Sequence, residues 1–164
     1  MKGLFVLMEK EIRDLFFSRT SLLVFLILCF ITGYSFYTAL TLYSTASASA
    51  LSNPLYAAGF EPVPGVFVPT YGGLFLIFSL FLPFVFIPLI SLEKRQNTLN
   101  ILLQLPFTLG GILISKIIAA VLLLVFIMFL GLPAVILWSA WGGHIPYSEL
   151  ALLIGGHFLY GILI

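Results

Sequence analysis

The chain has 164 residues, of which 62% are hydrophobic and 8% are charged, with a formal net charge of +1. A water-soluble domain carries about 25% charged residues and alternates apolar with polar positions, whereas here apolar residues run together between short polar breaks, which excludes a soluble core. Without clustered Lys and Arg there is no nucleic-acid footprint either.

Residues 1–19 mix both signs of charge, and the apolar run behind them begins too late and continues too far to read as a cleaved signal. They read instead as an amphipathic helix. At about 100° per residue Leu4, Phe5, Met8, Ile12, Leu15 and Phe16 gather in one sector, while Glu9, Lys10, Arg13 and Asp14 fill the opposite side. The pattern suits a helix lying in the membrane interface; packing on a soluble partner is the alternative.

Residues 20–43 form a first span, since about 20 apolar residues cross a ~30 Å hydrocarbon core. Cys29, the single cysteine, lies inside it, cannot pair internally and reads as a small apolar side chain. Residues 44–70 contain Asn53, Pro54, Pro62, Pro64, Gly65 and Pro69 but no Lys or Arg, which predicts a loop or a short broken helix. A second span covers 71–92 and includes Pro83 and Pro88, which predict a kink in its later half.

The polar segment from Glu93 to Thr98 follows, and Leu99 to Leu105, stopped by Pro106, predicts a short helix. A third span covers 112–137, and Trp138, Trp141, Gly142, Gly143, Pro146 and Tyr147 predict an interfacial turn. A fourth apolar helix begins near Glu149 and reaches residue 164 after about 15 residues, short of a usual span. It suggests a fragment of a longer protein.

Charge placement predicts orientation. Lys2, Lys10, Arg13 and Arg19 precede the first span, Lys94 and Arg95 follow the second, and Lys116 lies just inside the third. The opposite loops hold Glu61, His144 and Glu149 without a basic residue, so the positive-inside rule puts the N-terminus and the 93–111 loop in the cytoplasm of a multi-pass cell-membrane protein.

Ionisable groups deep in a bilayer mark ion or proton paths, and few exist here. His157, in the last apolar run, reads as a structural or helix–helix hydrogen-bonding residue, and Lys116 as a snorkelling one. No paired carboxylates, zinc motif or nucleophile elbow is present, so His157 and Glu149 make a poor start for an enzyme and the chain reads as non-catalytic. Gly72-Gly73, Gly110-Gly111, Gly142-Gly143 and Gly155-Gly156 lack the Lys-Ser or Lys-Thr of a phosphate-binding loop.

The order of parts resembles a family. The charged stretch from Glu9 to Asp14, then Ser18-Arg19, leads into a span, and Glu93-Lys94-Arg95-Gln96-Asn97-Thr98-Leu99 continues through Leu102-Leu103-Gln104-Leu105-Pro106 to Lys116. This is similar to the N-terminal portion of an ABC transporter permease of the type-2 exporter class, near the gliding-motility and nitrous-oxide-reductase-maturation permeases. The resemblance covers most of the chain and is most specific over residues 93–116. Glu93, Thr98, Leu99, Leu102, Leu103, Pro106 and Lys116 fit the family's cytoplasmic loop, while Asn97 stands where glycine is usual, a place Asn tolerates because it visits positive φ.

The resemblance implies an all-α integral membrane protein, with an interfacial elbow helix carrying Glu9, Lys10, Arg13 and Asp14 and four transmembrane helices belonging to a six-helix bundle. It implies a permease subunit of an ATP-driven exporter, with a second permease copy or homologue as partner. Two cytoplasmic ABC ATPase subunits would bind the ATP, leaving no cofactor in this chain. Leu99, Leu102 and Leu103 of the 93–106 loop suit docking in a groove of the ATPase. The alternative is a non-transporting membrane scaffold whose loop recruits a cytoplasmic partner.

Overall fold

The computed structural model describes residues 2–50, 61–95 and 109–163, and every regular element among them is helical. In chain order these are α1 (Lys2–Phe16), α2 (Arg19–Ala50), a π-helical turn (Val63–Phe67), α3 (Val68–Arg95), α4 (Leu109–Phe129), α5 (Leu132–Ala140) and α6 (Tyr147–Leu163). Three stretches are long and apolar enough to cross a membrane: Arg19–Ala50, Val63–Ile87 and Gly110–Ala140. The helix Tyr147–Leu163 is apolar but shorter.

Burial shows what surrounds the bundle. Along α2 the buried residues are Ser21, Val24, Leu28, Thr32, Phe36 and Ala39, a stripe at steps of three and four that marks one inward helix face. Leu22, Leu23, Leu26, Phe30, Tyr34, Tyr37 and Leu42 of the same helix are exposed. Contiguous exposed apolar area on this scale is foreign to a water-facing monomer and fits a membrane-embedded chain.

Helices α2 and α3 pack along each other, α6 packs on both α3 and α4, and the π-helical turn touches α2, α3 and α6. Leu28, Phe36, Val66, Phe67, Tyr71, Leu74, Phe78, Leu123, Ile127 and Trp138 form one continuous core. One end is aromatic. Trp138 lies edge-on to Tyr43 and Phe67, Phe36 stacks on Trp141, and the Trp138 indole N–H donates to the His144 carbonyl at 3.0 Å. Gly142, at φ +81°, makes the turn from α5 toward α6, a conformation that glycine adopts without a Cβ penalty.

The helix boundaries differ from the sequence expectation in three places. Helix α2 continues to Ala50 through residues assigned to the loop. Ala favours helix, and the hydroxyls of Ser44, Thr45 and Ser49 donate to carbonyls three residues back, so these side chains do not compete with the helix. The next helix begins at Pro62, where a proline is tolerated because first-turn amides have no intrahelical acceptor. The predicted loop therefore shrinks at both ends.

The third difference is a break between α4 and α5. The Leu130 and Gly131 amides donate to carbonyls three residues back, and Pro133 has no amide to offer the Phe129 carbonyl. Tyr71 of α3 fills the break: its ring lies so close to Gly131 that a Cβ there would come within 2.5 Å of Cζ. Tyr71 is buried, and among the described residues its hydroxyl has no hydrogen-bond partner.

Candidate functional site

Helix α1 ends at Phe16, and the Phe17 amide still donates to the Arg13 carbonyl. Ser18 then caps α2, its Oγ accepting from the Ser21 amide at 3.0 Å and satisfying one of the free first-turn donors. Two residues thus separate two helices, and α1 turns back to pack chiefly on α4.

Among the described side chains of α1 the buried ones are Leu7, Glu11 and Leu15, one helical stripe at steps of four. The expected apolar sector is therefore split. Leu15, at its edge, faces protein; Met8, Ile12 and Phe16 are half-buried and Phe5 is exposed. Phe16 meets Phe126 of α4 at 5.3 Å between ring centroids and Phe25 of α2 at 6.1 Å, and Phe25 meets Phe126 at 5.2 Å. This aromatic trio ties the end of α1 to two long helices.

In the middle of the stripe lies a carboxylate. Glu11 is 2% exposed, and the Lys116 ammonium of α4 donates to its Oε2 at 3.0 Å. Lys10 approaches Oε1 at 3.3 Å and also Asp14 at 3.5 Å. Each carboxylate oxygen therefore has a cation. Burying a charge costs several kcal/mol, and only a well-made pair with satisfied lone pairs offsets that cost. Lys116, expected to snorkel, instead holds α1 to α4.

Of the residues singled out from sequence, Glu9, Lys10, Arg13 and Asp14 sit on the exposed side of α1. Glu93 lies in the last turns of α3, but its side chain is outside the described residues, as are Thr98, Leu99, Leu102, Leu103 and Pro106. Glu11 was not singled out as a site residue. Its signal was available: an acid between Leu7 and Leu15 on one stripe, and a lysine within the apolar run from 112 onward.

A second polar place lies between α3 and α6. His157 Nδ1 contacts the Leu153 carbonyl at 2.8 Å within its own helix, and its ring packs on Phe75 of α3 with centroids 4.6 Å apart. It meets α3 through ring packing, and its hydrogen bond among the described residues is intrahelical. Beside it runs a groove of about 780 Å³ between Leu76, Leu80 and Leu152, with Ser79 and Tyr160 at 3.3 Å from each other. Among the described residues no three His, Cys, Asp or Glu gather where a metal ion could sit.

The fold and its exposed apolar faces define an all-helical protein fit to be embedded in a membrane. Compared with family models, characterised proteins and solved structures, the chain matches none.

Proposed function

We propose that this chain is the membrane-spanning permease subunit of an ATP-driven exporter of the ABC type-2 class, working with separate ATPase subunits and a second permease. The observation that carries this reading is the buried Glu11–Lys116 pair. It joins the charged N-terminal helix to the first turns of the helix that follows the 93–111 segment, the segment most similar to the family's ATPase-coupling loop. A force applied to that segment reaches α4 directly, and through the pair and the Phe16–Phe25–Phe126 trio it reaches α1 and α2.

In this reading α2, α3, the α4–α5 pair and α6 are four spans, with the N-terminus cytoplasmic as the basic residues require. Helix α1 is the elbow, its inner stripe on α4 and its neighbouring apolar face, from Phe5 to Ile12, against lipid acyl chains. The contact between Phe25 and Phe126 relates the levels of α2 and α4. At 1.5 Å per residue Lys116 lies about 15 Å before that level, and Arg19 about 9 Å before it. Lys116 thus sits at the charged rim, where a paired carboxylate is far less costly than at mid-bilayer.

The test is purification of the protein in detergent from its own membrane. A separate ATPase is expected to co-purify, and Glu93→Ala and Leu102→Ala are each expected to weaken the association about tenfold or more, the effect of a docking anchor. ATPase stimulation is expected to fall with them. A protein that carries no ATPase, or one whose association ignores both substitutions, would instead favour a scaffold.

A further inference from the structure

We infer that the break between α4 and α5 is a hinge with two positions, and that Tyr71 of α3 is the wedge that holds it in the one seen. The inference goes beyond the permease reading and does not depend on an ATPase. It starts from two polar groups that the break leaves unused. Tyr71 Oη, on a side chain 1% exposed, has no hydrogen-bond partner among the described residues. The Phe129 carbonyl has Pro133 four residues on, where an α-helix would supply an amide and a proline cannot.

Both groups belong to one place. Tyr71 Oη lies where a Cβ at Gly131 would be 2.7 Å away, so the donor touches the chain two residues from the acceptor without reaching it. A buried hydroxyl left unpaired forfeits a hydrogen bond. Turning α5 about Leu130 and Gly131 reorients the peptide that carries the Phe129 carbonyl, and the bond it then makes with Tyr71 replaces the close fit of the ring against Gly131. Each position has what the other lacks, the condition for two states of similar free energy.

The backbone permits the turn. The Leu130, Gly131 and Ala134 amides donate to carbonyls three residues back at 3.0, 3.2 and 3.2 Å, and a short 3₁₀ stretch ending in a proline is where a long helix bends at least cost. Before the break the helix is anchored. Lys116 holds Glu11 at 3.0 Å, Phe126 packs on Phe16 and Phe25, and Leu124 lies too close to Gly161 of α6 for a Cβ to stand there. After the break α5 buries only Ala134 and Trp138. The bond from the Trp138 indole to the His144 carbonyl lies within α5 and the turn that follows it, so it travels with them. The edge contacts of Trp138 with Tyr43 and Phe67 are the ones that change when the arm turns. Gly131 lies about 22 Å beyond Lys116 along the helix, which leaves the charged end of the span fixed and the aromatic end able to move.

The experiment is double electron–electron resonance on the protein in nanodiscs. Cys29→Ser removes the single cysteine, and spin labels are attached through Leu76→Cys on α3 and Ala140→Cys on α5, both at exposed positions. The arm from Gly131 to Ala140 is about 13 Å long, and a turn of about 20° moves its end by about 4–5 Å, so two distances separated by up to that much are expected. Tyr71→Phe keeps the ring and removes the donor, while Pro133→Ala gives the Phe129 carbonyl an amide of its own. Each should reduce the second distance about tenfold, the effect of one buried hydrogen bond. Gly72→Ala, where an added Cβ meets nothing within 4 Å, should leave both distances in place. A single narrow distance in the labelled protein without further substitution, or a second distance that survives Tyr71→Phe or Pro133→Ala, would overturn the hinge.

Discussion

Glu11→Ala is expected to destabilise the protein by about 3–5 kcal/mol, the cost of removing one partner from a buried ion pair. Glu11 is nine-tenths or more buried and Lys116 is 14% exposed, so the charge left behind has limited access to water. Lys116→Ala should cost somewhat less. Lys10 still lies 3.3 Å from the stranded carboxylate, and its own side chain is 44% exposed and able to bring solvent with it. Replacing both Glu11 and Lys116 by Leu should recover most of the loss, because an apolar pair of similar volume requires no desolvation of charge. Asp14→Ala, at an exposed position paired with Lys10 across one turn, should change stability by less than about 0.5 kcal/mol.

Thermal unfolding in detergent, followed by circular dichroism, reads all four variants. The decisive comparison is between the single and double substitutions. If the pair merely tolerates its burial, the double variant returns toward wild type while each single one falls; equal losses in all three would mean that the ion pair itself, which side chains of similar volume cannot replace, holds α1 to α4. A Glu11→Ala protein as stable as Asp14→Ala would remove the pair from any structural or coupling role.

Much of the architecture was legible because a bilayer demands it: apolar length alone marks α2, α3 and the α4–α5 run. What the sequence hid lies where two demands share one helix. Helical periodicity marks where apolar side chains gather but not what they face, and α1 packs on α4 through a stripe to one side of that sector. The sector centred on Met8 therefore misses the inner stripe Leu7–Glu11–Leu15, which lies to one side of it. Glu11 read as one more charge among Glu9, Lys10, Arg13 and Asp14, and Lys116 as an isolated one, because a pairing across 105 positions leaves no local periodicity. Ser44, Thr45 and Ser49 misled in the other direction: small polar residues punctuate loops in water, but inside a helix their hydroxyls bond back to its own carbonyls. The third span was expected unbroken over 112–137; the break at Gly131–Pro133 and its partner Tyr71 on α3 emerge only in the structure.

That partner leaves no room for a side chain at Gly131, as Trp138 leaves none at Gly143 and Leu124 little at Gly161. Gly131→Ala is expected to cost about 1–3 kcal/mol, the range for overpacking a filled core. The cause is steric, since the backbone at Gly131 has an ordinary right-handed conformation, φ −82° and ψ −16°. The added Cβ would meet Tyr71 Cζ at 2.5 Å, Cε1 at 2.6 Å and Oη at 2.7 Å, and the Tyr71 ring, 1% exposed, has nowhere to swing. Gly72→Ala one residue along from that ring meets nothing within 4 Å and should instead be neutral or gain up to about 1 kcal/mol from helix propensity. Tyr71 itself carries the opposite sign from most buried tyrosines. Its hydroxyl is desolvated without a hydrogen bond, so Tyr71→Phe strands no partner and should leave the melting temperature unchanged or raise it, by up to the equivalent of about 1–3 kcal/mol. Combining Gly131→Ala with Tyr71→Leu, which removes the atoms that clash, should restore part of what Gly131→Ala loses, giving a favourable coupling of about 0.5–3 kcal/mol in a double-mutant cycle. Additive losses in that cycle would show that the helix break, and not the ring lodged in it, sets the requirement for glycine.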